Sequence, residues 1–206
     1  MLTEELLSQA VAELAARDDD LARVVTRHGA PPLWAREPGF PTLILLILEQ
    51  QVSLASARAA FTRLQDRLGT VNPTGLLALT DDELRAVGFS RQKTGYARHL
   101  AQAMVDGRFD PDLLPAQDDD TVRAELIKLK GIGPWTADIY LLMVLRRPDV
   151  WPAGDLALAT AAQQVKGLAT RPTPQELVEL AEGWRPWRAV AARLLWHHYL
   201  SNGRGA

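Results

Sequence analysis

Cysteine is missing from all 206 residues. Disulfides, thiolate nucleophiles, cysteine-bound zinc and cysteine-ligated iron–sulfur clusters are therefore excluded. Long apolar runs are missing too, so no segment is expected to span a bilayer. Residues 1–9 show neither the basic start nor the continuous apolar stretch of a secretory signal, and a cytoplasmic location is the expectation. A basic excess is also lacking: 23 Lys and Arg face 25 Asp and Glu, for a formal net charge of -2. Any grip on a polyanion would have to come from backbone amides and unevenly placed cations. The four histidines, His28, His99, His197 and His198, show no metal-ligand spacing, so no side-chain metal site is expected and all four are predicted to be structural or exposed.

Strand-like alternation is scarce, whereas helix signals recur from end to end. Thr80-Asp81-Asp82-Glu83 is a capping box flanked by Leu79 and Leu84, and Gly88 sits where a helix would stop, which predicts a short helix over about residues 81–87. Thr173-Pro174-Gln175-Glu176 is a second capping box, leading into Leu177, Leu180 and Ala181. Ser90 can cap a helix that ends near Gly107, and Asp118-Asp119-Asp120 favours the start of another through Leu126 and Leu129. Residues 41–48 are almost wholly apolar; a buried strand or a buried helix would fit, and continuation at helical spacing through Gln50 to Leu64 favours helix. Breaks are expected at 30–41, 71–75, 109–117, 147–154 and 169–174. The fold class that follows is all-α, as one large domain or two small lobes.

The most informative stretch is Leu129-Lys130-Gly131-Ile132-Gly133-Pro134-Trp135-Thr136-Ala137. Gly131 can end one helix in a left-handed conformation, and Pro134 suits the first turn of the next. Amides at that second helix start would point outward, ready for a phosphate. A plain tight turn between packed helices explains the same glycines. Downstream, Gly154-Asp155 before an Ala/Leu-rich segment is an ordinary helix start, where the positive end of the helix favours a negative side chain.

Four ordered motifs together resemble the helix-hairpin-helix (HhH-GPD) DNA glycosylase superfamily over residues 41–196. They are Gly-Ile-Gly-Pro-Trp-Thr-Ala, then Val150-Trp151-Pro152-Ala153-Gly154-Asp155-Leu156, upstream Glu49-Gln50-Gln51-Val52-Ser53, and Trp184-Arg185-Pro186-Trp187-Arg188 with Leu194-Leu195-Trp196. The last is similar to the carboxy-terminal helix of the AlkA-like DNA-3-methyladenine glycosylase II branch. The resemblance implies two helical lobes with a DNA- and base-binding cleft between them: residues 39–147 with the hairpin, and 1–38 plus 148–206 with the aspartate loop and C-terminal helices. It makes Asp155 the catalytic carboxylate, places Trp135 and Trp196 at the base, and gives DNA contacts to Gly131, Ile132, Gly133, Thr136, Lys128, Lys130, Gln50, Gln51 and Ser53, with Arg91 and Lys93 nearby. Gln51 would fill the gap left by the flipped nucleotide. Trp184 and Trp187 are read as core.

Bifunctional members of the superfamily carry a Schiff-base lysine just before the Thr-Ala of the hairpin. Trp135 stands there, so strand-cleaving lyase activity is not expected. The resemblance thus implies a monofunctional, monomeric glycosylase for alkylated purines in duplex DNA, nucleoid-associated, with no required cofactor and a monovalent cation, Na or K, at the hairpin backbone. Asp138 is expected on a helix surface. Ile139 and Leu156 stand where AlkA-like relatives carry aromatic residues, which leaves deaminated or oxidised bases open as substrates. A non-catalytic DNA-binding protein and a helical adaptor also remain open.

Overall fold

The computed structural model describes residues 1–203, among which there are helices and no strand. In chain order they are α1 (Glu4–Arg17), α2 (Asp19–His28), α3 (Phe40–Glu49), α4 (Leu54–Leu68), α5 (Pro73–Ala78), α6 (Asp81–Ala86), α7 (Arg91–Val105), a 3-10 turn (Pro111–Ala116), α8 (Asp119–Ile127), α9 (Pro134–Ile139) running into a π turn (Tyr140–Val144), α10 (Leu156–Val165), α11 (Pro174–Glu182) and α12 (Arg188–Ser201). The all-α class is as expected, and none of these helices is long and apolar enough to cross a membrane.

Both predicted capping boxes form, with side chain and backbone bonded reciprocally at Thr80/Glu83 and Thr173/Glu176. Two expectations need correction. The apolar run does not continue as one helix through Gln50: α3 ends at Glu49, Gln51 takes φ 58°, and Ser53 caps a separate α4 by accepting from the Ser56 amide. The expected breaks at 71–75 and 109–117 hold ordered turns, since Asn72 caps α5 from within the first and the second carries the 3-10 turn.

The chain divides into two compact units, Met1–Ala35 with Asp138–Ala206, and Arg36–Ala137. The second crossing comes earlier than residue 147, within α9. The apolar residues that follow, Ile139 through Leu142, are buried in the first unit, where burial of their side chains outweighs continuity with the hairpin.

In the unit formed by residues 36–137, α3 is apolar on every side, with Leu43 through Leu48 all buried. It packs on α4 and α7, while α5 and α6 cover α7. Its carboxyl end is fixed three ways. Arg36 makes a two-pronged ion pair with Glu49 at 2.8 and 3.0 Å, Lys93 Nζ donates to Leu48 O at 2.7 Å, and Gln50 reaches the hairpin, as described below. Burial pulls the Lys93 amine below the ordinary lysine range.

In the other unit, α12 packs on α10, α2 and α1. Arg193 of α12 is fully buried and donates to Leu33 O, Ala189 O and Leu142 O at 2.9, 3.0 and 2.8 Å. Burial lowers its guanidinium to about 10. At the C-terminal end of α10, Lys166 Nζ donates to both Asp18 oxygens at 2.7 Å and to Asp20, and Trp184 Nε1 donates to Asp18 at 2.7 Å. Burial opposes the Asp18 charge, but these bonds outweigh it and hold the carboxyl below its usual range. Trp184 is core, as predicted, and Trp187 is half-buried with its Nε1 donating to Glu13.

Three of the histidines meet in this unit. The His28 ring lies 5.4 Å from that of His198 and 6.1 Å from that of His197, whose Nε2 sits 2.9 Å from His28 O. Burial, with Arg27 and the neighbouring imidazoles, lowers the pKa of His28 and His198. The folded chain therefore favours the neutral rings, while the unfolded chain takes up protons near the ordinary histidine value of about 6.5. Stability is expected to fall as pH drops below that value, and thermal melting followed from pH 7.5 to 5.5 checks this. A flat profile would contradict it, and His198→Gln should flatten it in part.

Candidate functional site

The hairpin forms as the glycine spacing requires. Gly131 has φ 90°, and a Cβ built on it would lie 2.3 Å from the Tyr96 ring of α7, so only glycine fits. Gly133 is different: a Cβ there would meet nothing within 4 Å. Between them the Ile132 side chain is buried and its amide donates to Leu129 O at 3.0 Å. Ile132 is thus the apolar anchor of the turn, and its amide is already used, contrary to the expectation that it faces DNA. Thr136 is also buried.

Gln50 explains where the Thr136 hydroxyl goes. Its Nε2 donates to Gly131 O at 2.8 Å and lies 3.4 Å from Thr136 Oγ1. The side chain expected to touch DNA instead straps the α3–α4 turn to the hairpin. Beyond it, Gln51, Val52 and Ser53 are exposed, and Gln51 holds a left-handed backbone that is uncommon outside glycine. Gln50→Ala should lower stability by about 1 kcal/mol and loosen the hairpin. We expect it to weaken duplex binding several-fold; unchanged binding in a titration would show that the strap is dispensable.

Asp155 caps α10. Its Oδ1 accepts from the Leu158 amide at 2.8 Å and from Trp196 Nε1 at 3.3 Å, and the side chain is buried. The carboxylate thus accepts from two N–H donors, and both structural and chemical roles can reside in one group. The family resemblance placed Asp155 and Trp196 at one site, and nothing in the sequence pattern showed the bond between them, because they are 41 residues apart. Leu156, next along, is 68% exposed, whereas Ile139 is buried. Asp138 is buried rather than on a helix surface, because the π turn and the residues around it are enclosed.

The remaining expected residues are spread over the two units. Trp135 is half-buried at the start of α9, in the hairpin unit, whereas Trp196 and Asp155 belong to the other. Lys128 is exposed and paired with Glu125 at 2.6 Å, and Lys93 is turned inward. Lys130 and Arg91 remain exposed.

The described residues combine helices, a glycine hairpin and a buried capping carboxylate, and comparison with known proteins gives the family. Residues 44–186 match the model of the HhH-GPD superfamily base excision DNA repair proteins, and the chain belongs to that superfamily. A DNA-3-methyladenine glycosylase of Bacillus subtilis (strain 168) is 27% identical over 169 residues, covering 76% of this chain. The chain spans 64% and 56% of the lengths of two Bacillus subtilis relatives it matches. Among solved structures, Schizosaccharomyces pombe 3-methyladenine DNA glycosylase in complex with abasic DNA superposes with a TM-score of 0.84 at 26% identity, covering 91% of this chain and 95% of that one. The Bacillus halodurans DNA-3-methyladenine glycosidase gives 0.78 at 28% identity, covering 96% and 93%.

Proposed function

We propose that the chain is a monofunctional, monomeric DNA glycosylase that hydrolyses the N-glycosidic bond of alkylated purines, such as 3-methyladenine and 7-methylguanine, turned out of duplex DNA. The observation that carries this reading is the Asp155 carboxylate, buried at a helix start and oriented by Leu158 and Trp196. The fold shared with glycosylases for alkylated bases and the abasic-DNA complex of one of them support it.

An alkylated purine carries positive charge and leaves as a neutral base, taking the bonding electron pair, so no general acid is required. Positive charge builds on the deoxyribose as the bond breaks, and a fixed anion stabilises it. Water then adds at the sugar carbon, its proton passing to Asp155 or to solvent, and the product is an abasic site in an uncut strand. Half-buried Trp135 offers an indole face to a cationic base, worth roughly 0.5 to 2 kcal/mol, while Trp196, buried with its Nε1 on Asp155, would serve as a wall of the base pocket. Trp135 in place of a lysine leaves no Schiff-base amine at that position. The amides of Gly133 and Trp135 and the exposed turn at Gln51 and Ser53 supply DNA contacts, with Gln51 entering the gap. A monovalent cation, Na or K, would draw on hairpin carbonyls, of which Leu129 O and Gly131 O already accept protein hydrogen bonds, and no step runs through it.

The test is a panel of duplexes with one alkylated purine, one uracil or one hypoxanthine, scored for base loss before and after alkali. Loss of the alkylated purine fastest, with strands cut only after alkali, is expected. Faster removal of uracil or hypoxanthine would refute the substrate class, and strand cutting without alkali would refute monofunctional action.

A further inference from the structure

Resting on the glycosylase reading, we infer that Arg91, Tyr96 and Lys130 form a phosphodiester subsite of the DNA backbone, beside and separate from the hairpin amides. Arg91, Gln92, Gly95, Tyr96 and Lys130 line an open cavity of about 490 Å³ in the hairpin unit. Four cations lie in this part of the sequence, and the structure sorts them. Lys93, half-buried, donates to Leu48 O and Lys128 is paired with Glu125. Arg91 and Lys130 make no ion pair among the described residues, and no carboxylate lines the cavity.

The floor is rigid. The Tyr96 ring is packed on Gly131, where it leaves no room for a Cβ, and its hydroxyl accepts from Gln92 Nε2 at 2.6 Å. That bond leaves the phenolic O–H able to donate to another group. Arg91 opens α7, a helix of 15 residues with no acidic residue in its first turn; Ser90 Oγ takes the Lys93 amide, and the amides of Arg91 and Gln92 have no intrahelical acceptor. Two cations, a hydroxyl donor and a positive helix end thus border one opening that no negative group lines, which is the donor set a phosphate oxygen recognises. Lys130 immediately precedes Gly131, so a strand held by the hairpin would bring its neighbouring phosphate to this opening. An acidic chain would in this way concentrate positive charge where the backbone runs.

Arg91→Ala, Lys130→Ala and the double variant are compared with wild type for binding to undamaged duplex over a salt series. Each phosphate contact contributes about 0.9 to the slope of log affinity against log salt. Either variant should weaken binding several-fold and reduce the slope, and the double variant should lose about 0.9 in all, because both cations serve one phosphate. Base release at saturating DNA should be unchanged, with the loss confined to KM. Tyr96→Phe, which keeps the ring under Gly131, should show a smaller loss. A double variant with the wild-type slope would overturn the subsite while leaving the glycosylase reading intact; a wild-type protein that binds no duplex would overturn both. Loss of thermal stabilisation by inorganic phosphate, with the slope on duplex unchanged, would mean that the cavity takes free anions and would likewise overturn it.

Discussion

Asp155→Asn is expected to lower base excision about 10²- to 10³-fold, the range seen when one preorganised charge-stabilising group is removed from a site. Its melting temperature should stay close to wild type. Asparagine is as good an N-cap as aspartate, and its oxygen can accept from Leu158 N as Asp155 Oδ1 does at 2.8 Å. Only the negative charge is lost. Asp155→Ala makes the complementary case: excision should fall as far, while losing the cap costs about 1 kcal/mol of stability. The pair separates the chemical role of the side chain from its structural one. Excision by the asparagine variant near the wild-type rate would leave Asp155 as a helix cap and nothing more.

Gly131→Ala and Gly133→Ala should part in the opposite sense, although the glycines are two residues apart. At Gly131 the left-handed backbone and the Tyr96 ring act together. An alanine there faces about 1–2 kcal/mol of backbone strain and roughly 1–3 kcal/mol of overpacking, so the variant should melt earlier and bind duplex poorly. At Gly133 the added methyl meets open space, and no positive φ is involved. Folding should be nearly unaffected, while on the proposed DNA-binding reading the methyl would stand between the hairpin backbone and an approaching phosphate. The expected result is a duplex affinity lowered tenfold or more at unchanged melting temperature, read by calorimetry beside a binding titration. Equal stability losses in both would show that Gly133 is there for the turn alone.

Local signals carried much of this structure. Capping boxes at Thr80 and Thr173, the serine cap at Ser90 and the glycine hairpin are all short-range patterns whose partners lie within three or four residues, so the sequence displays them directly. Asp155 was legible as a helix start for the same reason. Long-range partners were not. Gln50 carries the polarity of a DNA-facing residue, yet its amide is used by Gly131, 81 residues away. The Trp196 bond to Asp155 and the inward turn of Lys93 are of the same kind. Nothing in the spacing of cations separates Lys93 and Lys128 from Arg91 and Lys130. The division comes from which of them finds a carbonyl or a carboxylate once the helices pack. The placement of 138–147 failed because an apolar helix reads alike whichever core receives it.

The most direct measurement is chromatography of what the wild-type protein releases from duplex DNA treated with a methylating agent. Free 3-methyladenine appearing in step with alkali-labile sites is the predicted result. A folded protein that binds this duplex yet liberates no base would contradict a hydrolytic role for the carboxylate that begins α10.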